Sequence, residues 1–139
     1  VLARRPVLIA ENAAWAEGMA SSIRAGLAVI SAFSTRIDSV LFALCDQPAF
    51  SAEMIQQFIA TRESTRRNLV AARYNGHLGA PALFDRIHFP ALTALVGDEG
   101  ARKLIAHLPA DEIAAIDLPD LACDLDTPKD YAGYRPAKS

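Results

Sequence analysis

Ser39-Val40-Leu41-Phe42-Ala43-Leu44-Cys45-Asp46-Gln47-Pro48 is the stretch on which the reading of this chain turns. It starts as an uninterrupted apolar run and stops at a carboxylate, an amide and a proline. A short continuous apolar run suits a strand buried on both faces, as in a parallel sheet covered by helices. In open α/β sheets, ligands bind just beyond the carboxyl ends of the strands, and Asp46 falls at that place. Pro48 has no N–H to give a ladder, so it stops the strand and sets the turn. On these residues alone Asp46 has two readings: a metal or phosphate-site ligand, or a simple cap of the next turn.

Upstream of this stretch, Pro6-Val7-Leu8-Ile9-Ala10 reads as a short strand ending in Glu11-Asn12. Ile23, Leu27, Ile30 and either Ala20 or Phe33 then recur at helical spacing, with Ser21 or Ser22 as the N-cap. A helix start preceded by Gly18 and these serines can offer backbone N–H groups to an anion. The same spacing also serves a capped helix with Trp15 and Met19 packed underneath.

Downstream, Ser51 predicts the cap of a helix to about Arg66, with Met54, Ile55, Phe58 and Ile59 buried. Arg62, Arg66 and Arg67 suit its negative end. Asn68 to Tyr74 reads as a strand, Asn75-Gly76 as a tight turn, and His77 to Phe84 as a second strand. Gly79 and Pro81 suggest close backbone approach there rather than regular pairing. Helical patterns follow over Ile87–Val96 and from Asp98 to Leu108, where Pro109 stops the second. Ile113 to Leu118 is the last strand. Thr127-Pro128 with Asp130 marks another helix start. Asp124 and Asp126 alternate, so in an extended segment they point the same way.

The chain has 139 residues, the size of one domain spanning 1–139. It is 52% hydrophobic with a formal net charge of −2. That balance carries no electrostatic footprint for nucleic acid or an anionic membrane. No apolar run approaches the ~20 residues of a membrane helix. Cys45 and Cys123 form no zinc pattern and read as small buried residues of a reducing cytoplasm. His77, His88 and His107 have no metal spacing and read as surface or packing residues.

Taken in order, these pieces carry a resemblance. They are Asn12-x-x-Trp15-x-x-Gly18-Met19-x-Ser21-Ser22, Cys45-Asp46-Gln47-Pro48, Gly79-Ala80-Pro81, Gly97-Asp98-Glu99-Gly100-Ala101-Arg102 and Asp124-Leu125-Asp126-Thr127-Pro128-x-Asp130. Together they resemble the MobA-like nucleotidyltransferases, most closely the molybdenum cofactor cytidylyltransferase (MocA-type) branch. The resemblance implies a three-layer, Rossmann-like α/β sandwich with a mostly parallel sheet. It also implies transfer of CMP or GMP from CTP or GTP to a molybdopterin-type phosphorylated acceptor, with Mg²⁺ and release of pyrophosphate. By the same resemblance, Asp46 and Asp126 are the catalytic, metal-binding carboxylates. Asn12, Ser21, Ser22 and Gln47 line the nucleotide and acceptor cleft, and Gly79, Pro81, Asp98 and Arg102 lie on the acceptor side.

Cys45 stands where the family has Gly, and Ala80 where it has Asn. The family's opening strand and its Gly-rich phosphate loop have no counterpart here. The expectation is therefore a partial domain that lacks the first strands, is weakly active alone, and has an unpaired strand edge that invites homo-oligomers. A non-catalytic acceptor-binding module and a transferase acting on a sugar phosphate are the alternatives.

Overall fold

The computed structural model describes residues 7–123, 125 and 127–133. Its centre is a four-stranded sheet in the order β1-β3-β2-β4. The strands are β1 (Ser39–Phe42), β2 (Leu69–Tyr74), β3 (His77–Asp85) and β4 (Ile113–Asp117). The helices are α1 (Met19–Phe33), α2 (Ala52–Thr65), α3 (Phe89–Thr93), α4 (Ala101–His107) and α5 (Pro128–Gly133).

Alternation along β2 sorts its side chains between two cores. Leu69 and Ala71 face a cluster with Ala20, Ile23 and Leu27 of α1, Leu92 of α3 and Ile105 of α4. Val70 and Ala72 face the other side, with Phe58 of α2, Leu83, Ala114, Leu118 and Leu121. Helices thus cover both faces, which is the expected three-layer α/β arrangement.

β2 and β4 pair in parallel, whereas β3 is antiparallel to both β1 and β2. Three strands therefore run one way and β3 alone opposes them, so the parallel reading holds for direction but not for each pairing. The cause is local. Asn75 and Gly76 both have positive φ, 49° and 75°, and close a two-residue turn that folds β3 back along β2. The register shifts between Ala71 and Ala72, opposite Ala82 and Gly79. Pro81 in that interval cannot donate to the ladder, and the Ala80–Pro81 peptide is cis.

Several boundaries follow local chemistry. The Ser51 side chain accepts from the Met54 N–H at 3.4 Å and caps α2, and Arg66 closes it in the left-handed region. Thr127 and Asp130 cap each other's N–H groups at the start of α5. Pro90 lies in the first turn of α3, where its missing N–H is harmless, so the pattern over 87–96 divides into a 3₁₀ turn, Arg86–His88, and α3.

Other expectations are corrected. Val7 to Ala10 form no strand and lie exposed, because no described strand runs beside them. Helix α1 begins earlier than its serines, with Gly18 as N-cap at φ 102°. A Cβ on Gly18 would lie 2.5 Å from the Gly97 carbonyl and from Asp98 Oδ1, so a crossing loop sets the start. Trp15 is 74% exposed rather than packed under the helix. β1 is only half-buried, since it sits at the edge of the sheet. Helix α4 opens at Ala101 behind Gly100, not at Asp98. Cys45 and Cys123 are free and exposed, not buried, because both lie in connections beyond the strands.

Candidate functional site

The strands that share a direction end on one side of the sheet, and the chain leaving β1 turns there. Asp46 is half-buried in this elbow, and its Oδ1 is buried with no hydrogen-bond partner among the described residues. The Leu125 N–H donates to the Asp46 carbonyl at 2.9 Å, so the segment after the last strand returns to the elbow. Asp126, expected as the second carboxylate, and Asp124 lie outside the described residues.

Gln47 is 4% exposed and anchors the elbow. Its Nε2 donates to the Tyr74 hydroxyl at 3.0 Å, the Ala80 carbonyl at 3.3 Å and the Leu121 carbonyl at 3.4 Å. The Tyr74 hydroxyl donates in turn to the Ala80 carbonyl at 2.9 Å. Gly79 lies against that hydroxyl, and a Cβ there would be 3.4 Å away. Asp46, Gln47, Gly79 and Pro81 thus belong to one knot of connections. Gln47 acts there by holding the elbow.

A second group forms across α1. Asn12 Nδ2 donates to the hydroxyls of Ser21 at 2.8 Å and Ser22 at 3.0 Å, while its Oδ1 accepts from the Ala14 N–H. The Ser21 hydroxyl donates to the Gly18 carbonyl at 2.7 Å, so that serine is committed to the turn. Ser22 is exposed and remains available to a ligand. The Ala20 N–H donates to the Gly97 carbonyl at 3.0 Å, which docks the loop bearing Asp98 onto the helix start. Asp98 and Arg102 are both exposed.

Between the groups lies a cleft of about 730 Å³, whose wall includes Ser22, Leu44, Tyr74, Gly79, Ala80 and Arg102. Most of the remaining wall is apolar, from Met19, Ile23, Ile30, Val40, Leu41 and Phe42. Of the residues expected on the acceptor side, Gly79 and Arg102 share this concave surface with Ser22, whereas Pro81 is fully buried and Asp98 lies outside the wall. Asp46 lies two residues beyond Leu44, outside that wall. Among the described residues, no group of three or more His, Cys, Asp and Glu side chains is placed to hold a metal ion.

The arginine cluster stands apart. Arg62 pairs with Asp85 and, at 3.8 Å, with Asp38, near the amino end of β1. The Asp85 carboxylate holds the Arg62 guanidinium above its usual range. These arginines close the helix end, as expected, and are not part of the cleft.

Tyr74 and Arg73, last in the strand before Asn75-Gly76, read from sequence either as neighbours of the cleft or as a plain strand end. The structure places Tyr74 in the cleft wall, whereas Arg73 pairs with Asp117 at 3.3 Å.

Residues 1–113 match the profile of the MobA-like NTP transferase domain. The chain belongs to this family. It is 29% identical over 125 residues to the purine catabolism protein PucB of Bacillus subtilis (strain 168), covering 88% of this chain and 58% of that protein. The crystal structure of Rv0371c from Mycobacterium tuberculosis H37Rv superposes with a TM-score of 0.65 at 27% identity, covering 82% of this chain and 57% of that one. A manganese complex of Rv0371c gives 0.63 at 27% identity, covering 81% and 58%. The fold is therefore the Rossmann-like nucleotidyltransferase fold. This chain spans a little over half the length of these relatives.

Proposed function

We propose that this domain transfers CMP or GMP from CTP or GTP to a molybdopterin-type phosphorylated acceptor, releasing pyrophosphate. In that reaction an acceptor phosphate oxygen bonds to the α-phosphorus while the bond from the α-phosphorus to its bridging oxygen breaks. Such chemistry depends on positioning and on neutralising charge as it develops. The observation that carries the reading is Asp46, whose Oδ1 is buried without a hydrogen-bond partner among the described residues, just beyond the carboxyl end of β1.

A bare buried carboxylate oxygen is costly, and a hard divalent cation satisfies it well. Asp46 fits as one ligand of Mg²⁺, with Asp126 proposed as the second. The manganese complex of the mycobacterial relative is consistent with a divalent metal in this family. Bound Mg²⁺ would neutralise triphosphate charge. Ser22, Gly79 and Arg102 would orient the acceptor, with Arg102 meeting its phosphate and the apolar wall taking its ring. The sheet edge at β1 has no partner among the described residues beyond β3, so we also propose self-association through it.

The first test is thermal shift with CTP and GTP, each with and without Mg²⁺. A nucleotide at 100 times its dissociation constant adds ~2.7 kcal/mol. A Mg²⁺-dependent shift with one nucleotide, lost in Asp46→Asn, is the expected result. Losing a direct ligand should exceed the ~10–100-fold cost of losing a second-shell partner. A shift that Asp46→Asn leaves intact sinks the metal role. Acceptor binding that ignores both metal and nucleotide points to the non-catalytic module instead. For the edge, Ser39→Lys, a charge within β1 and outside the cleft wall, should turn an associating species into a monomer in light scattering, and a monomeric parent chain overturns that part.

A further inference from the structure

We infer that Tyr74 is a positioning residue whose hydroxyl couples the Asp46 elbow to the Gly79–Ala80 wall of the cleft. The inference rests on the reading of Asp46 as a metal ligand only for its functional consequence.

The geometry begins with a counting problem. The Gln47 amide has two N–H hydrogens and faces three acceptors, the Tyr74 hydroxyl and the carbonyls of Ala80 and Leu121. The Ala80 carbonyl also receives the Tyr74 hydroxyl at 2.9 Å, shorter than its 3.3 Å contact with Gln47. The phenol is therefore the closer bridge between the elbow and the wall. Ala80 lies in the interval where the β2–β3 ladder loses its register. Ladder pairing cannot hold this segment in place, so a side chain must.

Gln47 ties the same knot to Leu121, and Leu125 reaches the Asp46 carbonyl. Tyr74 thus stands where the β1 elbow, the end of β2, the irregular part of β3 and the returning segment meet. Its ring also lines the cleft. A small shift of the wall against Asp46 would change the distance between a bound acceptor and the metal carboxylate. Displacements of about 1 Å can cost ~10²-fold in rate.

Tyr74→Phe is a clean probe. It removes one hydroxyl, keeps the ring against Gly79, and leaves Gln47 with two carbonyls for its two hydrogens. Amide hydrogen exchange of the full chain should then accelerate locally at Leu125 and Phe50, whose N–H groups donate to Asp46 and Gln47. Val70 and Ala72, in the middle of the sheet, should stay as protected as before. Uniform acceleration, or none at the elbow, overturns the coupling.

The second readout is Mn²⁺ affinity by electron paramagnetic resonance, expected to weaken about tenfold in Tyr74→Phe with little change in melting temperature. Weakened stability with unchanged Mn²⁺ affinity would make Tyr74 merely structural and overturn the functional part. If the parent chain binds no Mn²⁺, the metal reading of Asp46 fails and the functional part with it. The exchange pattern still decides the coupling.

Discussion

β2 and β1 are both short apolar strands of one sheet, yet they are buried very differently. Leu69, Val70, Ala71 and Ala72 of β2 are fully buried, held between two neighbouring strands and two layers of helices. β1 has β3 on one side only, and Leu41 and Phe42 remain half-exposed. In sequence the two runs look alike. The difference is supplied by sheet order, which places one strand inside and the other at the edge. The inner strand carries stability, whereas the edge strand carries the elbow with Asp46 and forms a wall of the cleft.

The largest effect that tests this contrast is a matched pair of leucine truncations. Leu69→Ala should destabilise by about 2–5 kcal/mol, the usual range for a leucine lost from a closed core. Leu41→Ala should cost about 1 kcal/mol, because part of its surface is already wet. Urea denaturation of both variants checks this. Equal losses would mean that β1 is as enclosed as β2 and would break the comparison.

A smaller effect concerns how β1 is held. The rings of Phe42 and Phe84 meet edge to face, with centroids 5.8 Å apart at 74°. Such pairs contribute ~0.5–1.5 kcal/mol beyond area burial. A double-mutant cycle with Phe42→Leu and Phe84→Leu should return a coupling in that range. A coupling near zero would mean that β1 is held by its ladder with β3 alone.

Local chemistry was the legible part of this molecule. The Ser51 cap, the Asn75-Gly76 turn, the Thr127–Asp130 box and the strands around them follow from neighbours a few residues apart. The Asn12, Ser21 and Ser22 grouping was legible as a motif, though the crossing of Gly97 over Gly18 moved the helix start. What was not legible depends on distant partners. Gln47 meets groups separated from it by 27, 33 and 74 positions. No pattern of period 2 or 3.6 encodes such contacts. Trp15, Cys45 and Cys123 were misjudged for a related reason. Residue type sets how often a side chain is buried, but packing decides each case.

The smallest expected effect is a pH dependence behind the edge strand. His88 is buried, and its ring meets Phe84 edge to face at 5.9 Å. Its Nε2 has no hydrogen-bond partner among the described residues. Burial pushes its pKa below the ordinary value, with Glu112 and Asp85 pulling weakly the other way. In the unfolded chain the imidazole takes up its proton first as the pH falls. Stability should therefore be complete above the ordinary histidine range and decline as pH drops through it toward the lower folded value. His88→Gln removes the titrating group, so the parent should lose more stability than the variant between neutral and mildly acidic pH. Chemical denaturation at a series of pH values measures that difference. If the two curves run parallel, His88 does not titrate differently on folding. The layer behind Phe84 would then be as wet as the edge strand it supports.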